Sequence, residues 1–377
     1  MRNFSPVLAT YIVKVLICAA LGGGTETNMT KRSTTLTVYT LSHFAVDFGC
    51  GWLMYALYGG GALSGANAFL LYNFLAFGLQ FVIGAVIDVF RERGRLYHCE
   101  AAYVGCVLVM TALLLGTHAP LIAVTLVGLG NAAFHVGGGT DSLLYARGKM
   151  GRCGIFVSSG AVGVSLGMLC GARFGNMTYI PATAAAFCAL LILFLGKCRE
   201  DMTTPADAPY PSPLCAGGLG LVLCLFAVLV RSYAGFLFSM PWKQGFWLVL
   251  LAAAAALVGK AAGGLLADKL GARAVGTVSL LASVPLVIFG RESMILSVIG
   301  IVCFNIAMPI TLHTAAARLR GREGFAFGLT TLALLIGYLL FTFIELPTVT
   351  AFVTVAVTGV LAAGAIYLSS PGRGGKS

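Results

Sequence analysis

Apolar stretches of about 20 residues, the length of helix that crosses a bilayer, recur twelve times between residues 36 and 369 with short polar connections between them. Such a chain cannot present an ordinary soluble surface, because 10% of its residues are charged where a soluble domain has about 25%. Apolar runs read against glycine, proline and charge clusters predict spans over 36–58, 67–90, 101–117, 119–145, 154–173, 178–196, 214–238, 246–267, 274–290, 293–315, 325–345 and 348–369. The expected fold class is therefore an all-α polytopic membrane protein with twelve transmembrane helices. Too little chain remains for a separate catalytic or nucleic-acid-binding domain, so the expected surroundings are the lipid bilayer and not a nucleic acid.

The net charge of +11 then reads as topology. With twelve spans both termini fall on one side. The connections on that side carry Lys31, Arg32, Arg91, Arg93, Arg95, Arg147, Lys149, Arg152, Lys197, Arg199, Lys269, Arg273, Arg318, Arg320, Arg322, Arg373 and Lys376, against Arg173, Lys243 and Arg291 on the other. Lys and Arg concentrate in cytoplasmic loops, so both termini are expected in the cytoplasm and the membrane is expected to be an inner (plasma) membrane. Residues 6–23 are apolar but broken by Lys14, and Met29 stands as an alternative start; a signal peptide is the other reading of this stretch. The 11 cysteines include no CxxC pair and lie mostly inside spans, where they read as small packing residues.

The chain also repeats itself. Gly84-Ala-Val-Ile-Asp88 recurs as Gly264-Leu-Leu-Ala-Asp268, each at the basic end of a span and each followed by a glycine and an arginine, Gly94 and Arg95 in one case and Gly271 and Arg273 in the other. Phe134-His135 recurs as Phe304-Asn305, and Gly151-Arg152-x-Gly154 as Gly321-Arg322-x-Gly324. The expected organisation is an N-terminal extension (1–35), a six-helix bundle (36–196), a polar proline-containing linker (197–213), a second, pseudo-symmetric six-helix bundle (214–369) and a tail (370–377).

Twelve spans in two halves with Gly-x-x-x-Asp followed by Gly and Arg after spans 2 and 8 resemble the major facilitator superfamily. Within it, Leu41-Ser42-His43-x-x-x-Asp47, Gly128-x-Gly130-x-x-x-Phe134-His135 and Gly151-Arg152-x-Gly154 are similar to the fosmidomycin-resistance group of exporters, a likeness that covers mainly residues 41–173. The resemblance implies that Asp88 holds the start of span 11 near Gly324 and Asp268 the start of span 5 near Gly154, as latches that close the cytoplasmic side in one state. A static loop anchor is the plainer alternative. Asp141, near the basic end of span 4, is expected to join this gate by pairing with basic loops.

Charge at a helix centre costs about 3 kcal/mol on insertion scales, so an ionisable group there is a functional candidate. His43 and Asp47 are four apart and share a helix face, as do Asn131 and His135. Asp47, with His43 and His135 near it, is expected to be the proton-accepting centre, because imidazole exchanges protons near neutral pH. A hydrogen-bonded staple between spans 1 and 4 weighs equally for the histidines. Arg231 and Lys260 are embedded cations that point to an anion, either Asp47 or a substrate carboxylate or phosphonate; for Lys260 snorkelling competes. Asn73, Asn131, Tyr233 and Asn305 are candidate neutral contacts for the substrate, or interhelical glue. Gly154, Gly163, Gly167 and Gly171 form a small-residue stripe similar to the antiporter motif of superfamily exporters, except that Met168 stands where that motif has proline.

The expected activity is alternating-access secondary transport by a monomer, as proton-coupled efflux of a small anionic or polar organic molecule. Proton-coupled uptake is the near alternative. An intramembrane metal-dependent enzyme built on His43, Asp47 and His135 is a third class, and a non-transporting sensor a fourth. No cofactor and no catalytic residue is expected, and the sequence has no Gly-x(4)-Gly-Lys-Ser/Thr loop for ATP.

Overall fold

A computed structural model describes residues 28–59, 63–93, 97–146, 148–197, 214–215, 217–237 and 240–372. The N-terminal extension before Asn28, Gly94 and Arg95, the linker from 198 to 213 and the end of the tail lie outside the described residues. Among the described residues the regular structure is helical.

Twelve helices follow one another: α1 (Asn28–Tyr58), α2 (Leu63–Asn73 and Gln80–Glu92, joined by a π-helical segment over Phe74–Gly78), α3 (His98–Leu115), α4 (Pro120–Ala146), α5 (Met150–Phe174), α6 (Tyr179–Lys197), α7 (Gly217–Leu237), α8 (Gly245–Leu270), α9 (Ala272–Ile288), α10 (Met294–Arg318), α11 (Glu323–Phe343) and α12 (Thr348–Ser369). Each coincides with one expected span, but several run past it. α1 begins at Asn28 and not near 36, α5 begins at Met150 and not at 154, and α8 continues to Leu270. Hydropathy marks where a helix meets lipid, whereas the backbone hydrogen bonds continue until a cap or breaker stops them. Gly271, at φ +93°, is such a stop for α8. Among the described residues nine helices are long and apolar enough to cross a membrane, and Tyr179–Phe194 and Ala272–Ile288 are shorter apolar segments. α1 carries His43 and Asp47 in its middle.

The packing repeats with a step of six helices. α1 packs on α5 as α7 packs on α11; α3 on α4 and α6 as α9 on α10 and α12; α2 on α4 as α8 on α10. The main contacts between the halves stand in the same relation, α2 with α11 and α8 with α5, flanked by α4 with α11 and α10 with α5. The halves thus meet along two related seams. Large apolar side chains such as Phe187, Phe194, Val278, Phe289 and Val353 point outward, as they must where lipid replaces water.

Close approach holds these pairs together, because lipid tails supply no hydrophobic drive for helices to associate. Gly163, Gly167 and Gly171 of α5 lie against the backbone of Phe44, Phe48 and Trp52 of α1, one helical turn apart each time. Gly259 and Gly263 of α8 do the same against Val302 and Ile306 of α10. At the seams, Gly84 of α2 meets the backbone of Gly324 on α11, and Gly264 of α8 meets the backbone of Met150 on α5. A Cβ at Gly167 would overlap the Phe48 carbonyl, whereas one at Gly364 of α12 would meet nothing within 4 Å. Gly167→Leu is therefore expected to cost about 1–3 kcal/mol of overpacking. A lowered thermal midpoint in detergent checks it, with Gly364→Leu unchanged.

Candidate functional site

Between the halves lies a cavity of two adjoining lobes, about 290 Å³ and 300 Å³. Both lobes are lined by Asn73, Phe77, Arg231, Lys260, Met308 and Leu334. The deeper lobe reaches His43, Asp47, Asn131 and His135; the other reaches Phe304 and Asn305 in the middle of α10 and, nearer the helix ends away from the basic connections, Phe236 and Tyr338.

The four-residue spacing on α1 and on α4 brings three ionisable side chains of the first half to one point. His43 Nε2 lies 3.3 Å from Asp47 Oδ2 and 2.9 Å from His135 Nε2, and His135 Nε2 lies 3.6 Å from Asp47 Oδ1. Backbone carbonyls hold both rings from behind: His43 Nδ1 is 2.8 Å from the Phe156 oxygen of α5, and His135 Nδ1 is 2.9 Å from the Asn131 oxygen. Asn131 donates its amide to Asp47 Oδ1 at 3.1 Å, so it supports the carboxylate as well as lining the cavity. His43 stacks on Phe156 with centroids 4.8 Å apart. Two imidazoles and a carboxylate in this arrangement have the donor chemistry of a metal site as well as that of a proton relay.

The second half contributes cations. Arg231 on α7 is buried, its guanidinium carbon 5.0 Å from the centroid of the Phe304 ring, and its Nε has no hydrogen-bond partner. Among the described residues neither Arg231 nor Lys260 has a carboxylate within 4 Å. Arg231 therefore does not pair directly with Asp47. Asn73 and Asn305 line the cavity but turn their amide N–H groups back to Phe69 and Ile301 of their own helices, at 2.8 and 2.9 Å. Tyr233 does not line either lobe; it is buried where the α7 backbone meets Gly337 of α11, because its position on α7 turns away from the face that carries Arg231.

At the basic end the two repeated aspartates each take two backbone N–H groups from the first turn of a helix in the other half. Asp88 accepts from Gly324 (3.1 Å) and Phe325 (2.7 Å) of α11, and Asp268 from Met150 (2.8 Å) and Gly151 (2.9 Å) of α5. The first-turn N–H groups have no partner within their own helix, and the helix dipole favours an anion there. Asp268 meets α5 one turn before Gly154, because α5 starts earlier than its apolar run; Gly154 itself gives the close approach to the Lys260 carbonyl of α8.

Asp141 lies buried inside the first half, taking a hydrogen bond from the Tyr39 hydroxyl at 2.6 Å and facing His98 Nδ1 at 3.1 Å. Arg273 turns to its own half, with Nε 3.3 Å from the Ser370 carbonyl and its guanidinium over Tyr367. Gly271, at φ +93°, caps α8 with its N–H on the Ala267 carbonyl. The sequence reading missed Arg91, which meets Glu323 across the α2–α11 seam at 2.5 Å, and the Glu92–Arg322 pair at 3.7 Å beside it. It also missed Thr331 of α11, whose hydroxyl donates to the Phe77 carbonyl in the π segment of α2 at 3.2 Å.

No family model and no curated protein matches this sequence. Solved structures do match. The chain is similar to the E. coli fucose:proton symporter FucP in two crystal structures, one of them in the outward conformation, at 10% and 11% identity. The TM-scores are 0.56 and 0.57, over 89% and 90% of this chain and 96% of that one. It is similar to the human organic anion transporter MFSD10 (TETRAN) at 16% identity and a TM-score of 0.58, over 91% of this chain and 99% of that one. At these identities the likeness shows the fold, and the chain has the major facilitator fold: an all-α protein of twelve helices, six and six.

Asp88→Ala removes two hydrogen bonds to a charged acceptor, each about 1.5–3 kcal/mol where no water replaces it. In a background lacking native cysteines, a reporter Thr330→Cys in the cavity wall is expected to react several times faster with a thiol reagent applied from the basic side once Asp88→Ala is added. An unchanged rate assigns Asp88 to static anchoring.

Proposed function

We propose that this chain is a secondary transporter that works by alternating access, exporting a small organic anion in exchange for protons. The observation that carries this is the two-sided charge of one cavity. Its first-half wall holds Asp47 with His43 and His135, and its second-half wall holds Arg231 and Lys260. With neutral imidazoles that interior has two cations against one anion, and uncompensated charge inside a membrane is costly. An anionic substrate between the halves supplies the missing charge. Arg231, with an unpartnered Nε and a ring contact beneath it, is the group suited to hold a carboxylate or phosphonate.

Each half meets the substrate with one wall, so a rocking of the halves about the cavity changes which side it opens to. The closed seams at the basic end, with the cavity reaching toward the opposite helix ends, correspond in this reading to a state open away from the cytoplasm. A cation taken up by the Asp47 cluster from that side and released to the other gives the exchange its drive. The likeness in fold to a fucose:proton symporter and to an organic anion transporter agrees with proton coupling and with an anionic cargo. Multi-pass insertion in the inner (plasma) membrane with cytoplasmic termini, action as a monomer, and kinship to the fosmidomycin-resistance group through residues 41–173 belong to the same proposal.

Uptake by proton symport is the second reading, favoured by Met168 in place of the antiporter proline. Flux in proteoliposomes under an imposed pH gradient separates the two by the direction in which labelled anion moves. Asp47→Asn is expected to reduce gradient-driven flux to background while leaving anion binding, and full gradient-driven flux in that variant removes Asp47 from coupling. Arg231→Ala, losing charge-assisted bonds worth about 1.5–3 kcal/mol, is expected to raise the apparent KM for the anion roughly 10- to 100-fold. An unchanged KM removes Arg231 from the site.

A further inference from the structure

The hydrogen-bond inventory of the Asp47 cluster leaves one position unaccounted for. The Nδ1 of His43 and the Nδ1 of His135 each face a backbone carbonyl at 2.8 and 2.9 Å. A carbonyl only accepts, so both Nδ1 atoms carry their ring's hydrogen and both Nε2 atoms present lone pairs. Those lone pairs point at each other across 2.9 Å, with the Asp47 carboxylate 3.3 and 3.6 Å away. Three acceptors converge on one spot, and only a cation shared among them makes the arrangement favourable.

A proton between the rings is one such cation, but the spacing also fits something larger. A tetrahedral ion with ligand bonds of about 2.0–2.1 Å holds its ligand atoms about 3.3 Å apart. The separations of 2.9, 3.3 and 3.6 Å bracket that edge. The shell behind the three groups has the form that metal-bound histidines need, with the second ring nitrogen donating to a carbonyl and the carboxylate held by a further donor; here those partners are the Phe156 and Asn131 oxygens and the Asn131 amide. Space is kept open as well. Gly160 of α5 lies beside the cluster, and a Cβ there would land on Asp47 Oδ2 and His43 Nε2.

We infer that His43, Asp47 and His135 form a binding site for one divalent first-row transition-metal ion of the zinc type, with its fourth position open to the cavity. Two imidazoles and one carboxylate are the ligand set that such an ion accepts while keeping a position for water or an anion. A substrate carboxylate in the cavity can fill that position, which would put cation and anion in contact. The ion replaces the shared proton, so the two cannot occupy the cluster together, and with the ion bound the interior carries one more positive charge for an anionic substrate to offset. Lys260, across the cavity from Asp47, opposes the ion electrostatically, so removing its charge strengthens binding. The inference deepens the reading of this cluster as the coupling centre and rests on it for a part in transport; the binding itself is tested without transport.

The test uses Co2+ as a spectroscopic stand-in for Zn2+, titrated into the purified full chain in detergent after removal of any histidine tag. One Co2+ per chain with the visible absorption of a four-coordinate ion, displaced by Zn2+, is expected. His43→Gln and His135→Gln are expected to abolish that absorption, and Asn131→Ala, which removes only a supporting partner, to weaken binding about 10- to 100-fold. Gly160→Ala keeps every ligand yet is expected to lose the ion in a chain that still unfolds cooperatively, whereas Lys260→Gln is expected to tighten binding. The inference is overturned by absence of a 1:1 complex in the folded wild type, or by Co2+ absorption that survives His135→Gln. Anion flux under a pH gradient in the presence of a chelator is the separate arm: flux without Co2+ binding sinks the metal site alone, and Co2+ binding without flux sinks the transport reading alone.

Discussion

Inside a bilayer a polar group has no water to turn to, and every main feature of this molecule answers that constraint. The helices satisfy their own backbone except at their ends, where up to four N–H groups of the first turn and four C=O groups of the last are left over. At the start of α5 and of α11 those groups are satisfied by aspartates of the opposite half, Asp268 and Asp88. The same bonds that complete a helix therefore also tie the halves together. They lie at the end of the bundle that carries the basic connections, where water is near once the halves part. Breaking them exchanges protein partners for water, at a net cost of about 1 kcal/mol per neutral bond and up to about 3 for a charged one. A tie of that size is strong enough to favour a closed seam and weak enough to be released.

The two seams are related by the repeat but are not equal. The α5–α8 seam has Asp268 and the glycine contacts around Gly151, Gly154 and Gly264. The α2–α11 seam has the matching Asp88 and Gly84 contacts and adds Arg91 with Glu323, Glu92 with Arg322, and Thr331 with the Phe77 carbonyl. Glu323 also takes the N–H of Gly321 at 3.0 Å, which fixes the turn entering α11. One diagonal is thus fastened by ion pairs and side-chain hydrogen bonds as well as by its aspartate, and the other by its aspartate and close backbone approach along Lys260 to Asp268 of α8.

The twelve helices and the duplicated aspartates were legible because both signals are local: apolar length marks a span, and a motif repeated in register marks a pair of related ends. The His43, Asp47 and His135 cluster was legible for a related reason, since residues four apart share a face and two such faces on α1 and α4 converge. What lay beyond reach depends on rotation of one helix against another. Arg91 and Glu323 are far apart in sequence, and nothing in either segment says that they meet. Asp141 sits on the same helix as His135, yet the turn of α4 between them carries it to Tyr39 and His98 inside one half. Tyr233 is two residues from Arg231, and about 200° of helical rotation takes it off the cavity face. Short sequence distance predicts a shared face at three or four residues and opposite faces at two.

The π segment of α2 connects the seam to the cavity. Between Asn73 and Gly78 the helix inserts an extra residue into its turn, which disturbs the regular ladder of backbone bonds and is a common feature of working sites. The Phe77 carbonyl in that segment accepts from Thr331 across the halves, and the Phe77 and Asn73 side chains line both lobes of the cavity. Eleven residues further along the same helix, Asp88 binds the start of α11. Thr331 and the first turn of α11 thus bind α2 at two levels, one beside the cavity in the stretch of α2 that departs from α-helical register and one at the seam.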